Sequence, residues 1–271
     1  MPPANFSAVN IETRAIDSLR LEREVQVDLF LPRHVKSLAE TSLLLINDGQ
    51  NMEEMGLGSI LQRLHTGGSI APLSCIAIHT GIHRKMEYGV SSQADYLGRG
   101  ARAFDYSSFI TAELLPFLRN EYGAEQFRER AFAGFSLGAL MALDIVWNRP
   151  DLFSKAGLFS GSFWWRSVDQ SEPHYDDDLH RIIHQEIRKG PFNPGLKFFF
   201  QCGRLDETMD RNNNGIIDSI DDTLDLVGEL VQKGYDRDND ICYYEMEDGR
   251  HDIDTWARAM PVFLKWGWGI K

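Results

Sequence analysis

The stretch Arg130-Ala131-Phe132-Ala133-Gly134-Phe135-Ser136-Leu137-Gly138-Ala139-Leu140-Met141-Ala142-Leu143 constrains this chain more than any other. An apolar run that ends in Gly-x-Ser-x-Gly and passes directly into a second apolar segment reads as strand, sharp turn and helix. Gly134 and Gly138 omit the side chains that would collide where a strand folds back onto a helix. Ser136 then stands at the tip of the turn with a helix N-terminus behind it, which is the layout of a nucleophile elbow. The same five residues also fit an ordinary strand-to-helix turn with a serine near a helix start, so the flanking chain has to decide.

The flanks keep one rhythm. Residues 6–31 alternate as two half-buried antiparallel strands, and Pro32 ends the second. Ser42–Ile46, Ser74–Ile78, Lys155–Ser160 and Leu196–Cys202 are continuous apolar runs, as expected of strands buried on both faces of a parallel sheet. Ile241–Met246 supplies the last strand. Helices are expected over 52–65, 107–121, 137–148, 178–188, 223–233 and 253–266, with loops over 79–104 and 203–222. Strand and helix therefore alternate from residue 42 onward, the signature of an α/β fold with a mostly parallel sheet and helices on both faces. With 271 residues, 43% hydrophobic, and no repeat or linker, the expectation is one domain over 1–271. Residues 161–195 break the rhythm with Phe163-Trp164-Trp165 and an acidic run, and read as a lid-like insertion beside the strand C-termini. Two tryptophans there also fit plain core packing.

A neutral serine needs a base, and the base needs an orienting acid. Asp206 falls just past the Phe198-Phe199-Phe200 strand, and His251 falls between the last strand and the last helix. Both lie at strand C-termini, the edge of the sheet that carries Ser136, in the chain order Ser, Asp, His. Glu207 is the alternative acid, and His79 and His83 are alternative bases in the wrong order. The oxyanion donors are expected from the Leu137 N–H, at the helix start, and the Gln50 N–H, presented by the Asp48-Gly49 turn.

With these residues in view, the chain resembles the Putative esterase family of α/β-hydrolases, which includes esterase D, feruloyl esterases, enterochelin-type siderophore esterases and mycolyltransferases. The resemblance spans roughly residues 42–268. It is carried by Asp48-Gly49-Gln50-Asn51, Arg84-x-x-Glu87-Tyr88-Gly89, Phe109–Pro116 with Tyr122, the elbow, Ser160-Gly161-Ser162-Phe163-Trp164-Trp165, Gly203-x-x-Asp206, and Gly249-x-His251-Asp252 with Trp256. It implies an α/β-hydrolase fold, the triad Ser136, Asp206 and His251, and the oxyanion donors Gln50 and Leu137. It also marks Arg84, Trp164 and Trp165 as expected substrate contacts. Arg250 stands where the family usually has a glycine, which is expected to reshape the mouth of the site.

A second motif lies beside the acid. Asp210-Arg211-Asn212-Asn213-Asn214-Gly215-Ile216-Ile217-Asp218-Ser219-Ile220-Asp221 follows the EF-hand loop position by position. Side-chain oxygens fall at Asp210, Asn212, Asn214, Asp218 and Asp221, the Ile216 carbonyl falls at the seventh position, and Gly215 makes the sharp turn. Ca²⁺ is the expected cation, in a structural role, and no organic cofactor is called for. Asp221 replaces the usual glutamate and has a shorter reach.

A formal charge of −12 argues against a nucleic-acid partner or an anionic membrane surface. Cys75, Cys202 and Cys242 form an odd set within apolar or strand-like runs and read as reduced thiols. The opening Met1-Pro2-Pro3-Ala4-Asn5 has no signal-peptide pattern, so a cytoplasmic location is expected by default. The function expected is a serine hydrolase acting on a small carboxylic ester, with an aryl ester or a siderophore trilactone as plausible substrates. The alternatives are an acyltransferase of the same fold and a calcium-dependent binding protein on a hydrolase scaffold.

Overall fold

The computed structural model describes residues 7–123 and 126–270, so the N-terminal pentapeptide lies outside the described residues. The strands are β1 Val9–Ser18, β2 Arg23–Pro32, β3 Ser42–Asn47, β4 Leu73–Ile78, β5 Arg130–Phe135, β6 Lys155–Phe159, β7 Lys197–Leu205 and β8 Ile241–Arg250. They form one sheet in the order β1-β2-β4-β3-β5-β6-β7-β8. The β1–β2 hairpin pairs antiparallel, as does β2 with β4, and every later pairing is parallel.

The apolar runs explain the middle of this order. All six residues of β3 and of β4 are buried, as are five of six in β5. Such strands can only pair where helices cover both faces. Leu43, Leu45, Phe132, Leu158 and Phe200 point to one face, where the helix Leu137–Asn148 packs. Leu44, Ile46, Ala133, Phe159 and Phe199 point to the other, covered by the helices Leu57–Thr66 and Ile253–Trp268. This is the expected α/β-hydrolase architecture.

Several boundaries differ from the sequence expectation, each for a local reason. The helix expected over 52–65 is cut at Gly56, which adopts φ +70° and ends a single turn before Leu57 starts the helix proper. The helix expected from Ser107 begins at Ala103 and widens to a π-type turn over Ile110–Leu114. Pro116 has no N–H, and its ring would meet the carbonyl four residues back, so the turn before it opens. The helix expected over 178–188 is interrupted at Arg181, whose ψ of 108° is extended. The helix expected from Thr223 begins at Asp218, because its acidic first turn suits a helix N-terminus.

Arg181 is also what fastens the 161–195 insertion to the body. Its nearly buried guanidinium reaches Asp222 and Asp225, both at 2.8 Å, while Arg211 reaches back to Asp177 at 3.0 Å. The three cysteines are unpaired, with Cys75 and Cys202 buried. Among the described residues no helix is long and apolar enough to cross a membrane.

Candidate active site

β5 lies in the middle of the sheet, between β3 and β6, and delivers Ser136 at its C-terminal end. Ser136 adopts φ 55° and ψ −121°, a sparsely populated region for any residue with a Cβ. The surroundings hold it there. Its N–H donates to the Phe159 carbonyl at 2.9 Å, and its own carbonyl accepts from Ala139 N at 3.1 Å and Ser162 N at 3.2 Å. A Cβ on Gly134 would stand 2.2 Å from the Gly138 carbonyl oxygen, and one on Gly138 would stand 2.8 Å from Asp48 Oδ2. The two glycines thus let the strand meet the helix and let the β3 loop meet the elbow. Ser136 is half-buried, and its Oγ lies 3.4 Å from Ser162 Oγ.

Asp206 follows the end of β7, and His251 follows the end of β8. A Cβ on Gly203 would stand 2.4 Å from the Gly249 carbonyl, so the two strand ends approach as closely as backbone allows. Asp206 Oδ2 accepts from Gly203 N at 3.1 Å, whereas Oδ1 is buried with no hydrogen-bond partner. A buried carboxylate oxygen without a donor is costly, and an imidazole N–H is the donor a triad would bring to it. Burial raises the Asp206 pKa, opposed by the Gly203 N–H, the Ser160 hydroxyl and the charge of His251.

His251 is exposed at its outer edge, but its ring packs edge-on against Trp256 with centroids 5.4 Å apart. Desolvation of the ring, and secondarily the Arg84 charge, push its pKa below the usual histidine value, while Asp206 pulls it up. The backbone around it is pinned. Arg250 N donates to Thr255 Oγ1, and Asp252 caps the last helix by accepting from Thr255 N, both at 2.9 Å. In this structure no hydrogen bond joins the His251 ring to Ser136 or to Asp206. The three residues follow the C-terminal ends of β5, β7 and β8 on one edge of the sheet.

The loop after β3, which carries the expected oxyanion donor Gln50, is held more firmly. Asn47 Nδ2 donates to the Gly138 carbonyl at 2.7 Å, and Asn47 Oδ1 accepts from Tyr106 OH at 2.6 Å. Asp48, at φ 61°, turns the chain into a single helical turn over Gly49–Asn51. The Gln50 side chain faces away, accepting from Thr80 N at 3.1 Å. Among the described residues, neither the Gln50 N–H nor the Leu137 N–H is used in a hydrogen bond.

The expected substrate contacts fare differently. Arg84 grips the buried Asp48 carboxylate with two bonds, Nε to Oδ1 at 2.6 Å and Nη2 to Oδ2 at 2.7 Å, and lies over the Tyr88 ring. Its first task is to neutralise Asp48, although its charge is felt at His251. Trp164 is half-buried between Arg99 and Arg166, with centroid distances of 5.0 and 5.7 Å. Trp165 is fully buried, and a Cβ on Gly89 or on Gly100 would stand 2.9 Å from its ring. The expectation that Trp165 touches substrate is therefore corrected: the ring has no open face, and it packs as core. Arg250 lines a groove of about 830 Å³ with Arg63, Asp248, Asp252 and Arg258, between the helix Leu57–Thr66 and the last helix.

Sequence reasoning names Asn47, Asp48, Ser160 and Ser162 for no catalytic contact, yet they are buried around the elbow and the β3 loop. The signal for Asp48 was its place at a strand end next to Gly49. For the two serines it was the Ser160-Gly161-Ser162 run at the end of β6.

The 210–221 loop is held by hydrogen bonds among its own side chains and backbone. Asp210 accepts from Asn214 N at 3.1 Å and from Gly215 N at 2.9 Å, and the Asn212 and Asn214 amides both donate to Asp221 Oδ2, at 2.9 and 2.8 Å. Asp218 instead accepts from Arg211 N at 2.8 Å and lies 3.4 Å from its guanidinium. Among the described residues no group of three or more His, Cys, Asp or Glu side chains is arranged to hold a metal. Glu207, next to Asp206, accepts from Ser219 N at 2.6 Å and so ties the acid's loop to the helix that leaves the 210–221 loop.

The uncharacterized protein YjcH of Bacillus subtilis (strain 168) is 22% identical over 268 residues, which cover 98% of this chain and 99% of YjcH. Among solved structures, a ferulic acid esterase superposes with a TM-score of 0.71 at 18% identity, covering 96% of this chain and 98% of that one. The enterobactin esterase FES of Shigella flexneri, solved in the presence of enterobactin, superposes with a TM-score of 0.72 at 20% identity, covering 98% of this chain and 62% of that one. At these identities the superpositions speak for the fold. The profile of the Esterase family (Putative esterase) matches residues 18–266, and the chain belongs to that family.

Proposed function

We propose that the chain is a serine hydrolase of small carboxylic esters that works through an acyl-enzyme on Ser136. The observation that carries this reading is the strained backbone of Ser136, held at the tip of an elbow at the N-terminus of the helix Leu137–Asn148. Strain of this kind persists only where the surroundings over-determine it, and it clusters at reacting residues. Ser136 Oγ attacks the ester carbonyl and passes its proton to His251. The negative oxygen that forms accepts from the Gln50 and Leu137 N–H groups. His251 returns the proton to the departing alcohol. Water then repeats the sequence on the acyl-serine, releases the acid and restores Ser136. Asp206 holds the imidazole in orientation and stabilises its charged form. The Arg84–Asp48 pair keeps the oxyanion loop against the elbow and sets a positive charge beside the ester. The likeness to a ferulic acid esterase and to an enterobactin esterase favours an aryl ester or a trilactone substrate, with the half-buried Trp164 as the aromatic contact. An ester and lactone panel, run beside labelling with a fluorophosphonate probe, tests the reading. A protein that neither labels nor turns over any ester is the binding-protein alternative, and acyl transfer to an added alcohol in preference to water identifies an acyltransferase.

The pKa directions give an expected pH profile. His251 must be neutral to accept a proton, so kcat/KM rises as pH rises through its pKa. Burial and Arg84 outweigh Asp206 and push that pKa down. The ascending limb should therefore have its midpoint below the ordinary histidine value of about 6.5. A midpoint above 7 on p-nitrophenyl acetate would show that another group limits the rate.

The reading extends to the 210–221 loop, where a structural Ca²⁺ is proposed. Asn212 and Asn214 donate their amide N–H groups to Asp221, and Asp210 accepts from the Asn214 and Gly215 N–H groups, so both amides would have to turn their oxygens inward to ligate a cation. Asp218 would have to leave Arg211 to join them, which points to a weak site. Because Glu207 links this loop to Asp206, adding Ca²⁺ to EDTA-treated protein should raise melting temperature and esterase rate together. No change in either, at millimolar Ca²⁺, removes the cation from the account.

A further inference from the structure

Ser162 stands beside the nucleophile, and the mechanism above does not use it. Its place is set by backbone. Ser160, at φ 44°, turns the chain at the end of β6, and its N–H donates to the Gln201 carbonyl at 2.8 Å. At Gly161 a Cβ would stand 2.3 Å from the Phe163 ring, so glycine lets the chain fold tightly there. The Ser162 N–H then donates to the carbonyl of Ser136 itself at 3.2 Å, which ties the two serines together whatever their side chains do. Ser162 is only 5% exposed, and among the described residues its hydroxyl has one hydrogen-bond partner, Ser136 Oγ at 3.4 Å. Hydrogen bonds between catalytic groups are often this long in a free enzyme and tighten in its complexes. A buried hydroxyl keeps a partner, and here the partner is the atom placed to attack the ester. For attack, the Ser136 proton points to His251, which leaves Ser162 as the donor of this contact and Ser136 Oγ as its acceptor.

We propose that Ser162 is a further catalytic residue, whose hydroxyl donates to Ser136 Oγ and speeds release of the acyl group. The proposal rests on the serine-esterase reading. In the free enzyme Ser136 Oγ is a hydroxyl oxygen and accepts well. In the acyl-enzyme it is the single-bonded oxygen of an ester, whose lone pair is drawn into the acyl carbonyl, and it accepts poorly. In deacylation, water adds its oxygen to the acyl carbon and gives a proton to His251. The bond from that carbon to Oγ then breaks, Oγ takes the proton from His251, and the carboxylic acid leaves. As the bond breaks, electron density returns to Oγ and the Ser162 hydroxyl donates to it at full strength. The contact is therefore already made before acylation, but it strengthens between the acyl-enzyme and the transition state of deacylation. Only a contact that strengthens toward a transition state accelerates the step, so the gain falls on deacylation.

Ser162→Ala in the full chain, with p-nitrophenyl acetate as substrate, separates the two half-reactions. Acylation, read from the p-nitrophenol released in the first turnover, should stay within about twofold of wild type. Labelling by a fluorophosphonate, which needs an assembled site, should be equally unaffected. Decay of the acyl-serine after excess ester is removed, followed by mass spectrometry of the intact protein, should slow about fivefold, the worth of one hydrogen bond. Ser162→Cys keeps nearly the same volume with a weaker donor, and its decay should fall between wild type and Ser162→Ala. The proposal is overturned if the acyl-serine of Ser162→Ala decays at the wild-type rate, or if acylation slows as much as decay. An acyl-enzyme that is absent from wild type, or equally present in Ser136→Ala, sinks the esterase reading and the proposal together. Unchanged decay in Ser162→Ala, with an acyl-enzyme that depends on Ser136, sinks the proposal alone.

Discussion

Ser136→Ala is expected to abolish ester turnover and fluorophosphonate labelling while leaving the fold intact. Without its nucleophile a triad loses about 10⁴-fold or more in kcat, and what remains comes from the oxyanion donors and binding. The substitution costs little stability, because Ser136 Oγ makes only a 3.4 Å contact with Ser162 Oγ. The hydrogen bonds that hold the elbow are made by its backbone. A melting temperature within about 3 °C of wild type is expected. Turnover that survives at more than a few per cent would take Ser136 out of the nucleophile role.

Gly134→Ala is expected to be the most damaging single methyl group in the chain. Its Cβ would stand 2.2 Å from the Gly138 carbonyl oxygen and 2.8 Å from Ala139 N, all of it backbone that cannot swing aside. The strand and the helix would have to part, opening the core between Phe132 and Leu140. Overpacking of this severity costs about 3 kcal/mol or more. Gly228→Ala supplies the contrast. It lies within the helix Asp218–Lys233, where an added Cβ meets nothing within 4 Å. There the same change should stabilise by about 0.5–1 kcal/mol through helix propensity. Denaturation midpoints of the two variants should move in opposite directions. Equal shifts would mean that the close approach at the elbow is not what position 134 is for.

The parts of this molecule that could be read from sequence are those in which one short segment decides its own environment. Leu43–Ile46 and Phe198–Phe200 can only be buried strands, and Gly134 to Gly138 can only be a tight turn. Asp206 and His251 stand out as candidates because strand C-termini in such a sheet share one edge. What stayed hidden depends on segments far apart in the chain. Trp165 is core because Gly89 and Gly100 leave a slot of its shape. Arg84 serves Asp48 because two loops from different strands meet. The early start of the helix at Asp218 was masked because a string of acids reads as loop. Its Asp222 and Asp225 in fact face Arg181, and Asp222 also faces Arg211. Arg181 breaks its own helix because its guanidinium is needed on theirs.

The strand order carries a consequence for how such a chain comes into being on the ribosome. The proposed nucleophile and oxyanion donors follow the ends of β3 and β5, at the centre of the sheet, and are synthesised first. The proposed acid and base arrive only with β7 and β8, and β8 is the sheet's terminal strand, paired with β7 alone. Until that last strand docks, the emerging polypeptide carries a serine in a shaped turn with nothing to take its proton. On the serine-hydrolase proposal, ester turnover is therefore expected only once the sheet is complete, and a chain truncated before β8 should show none.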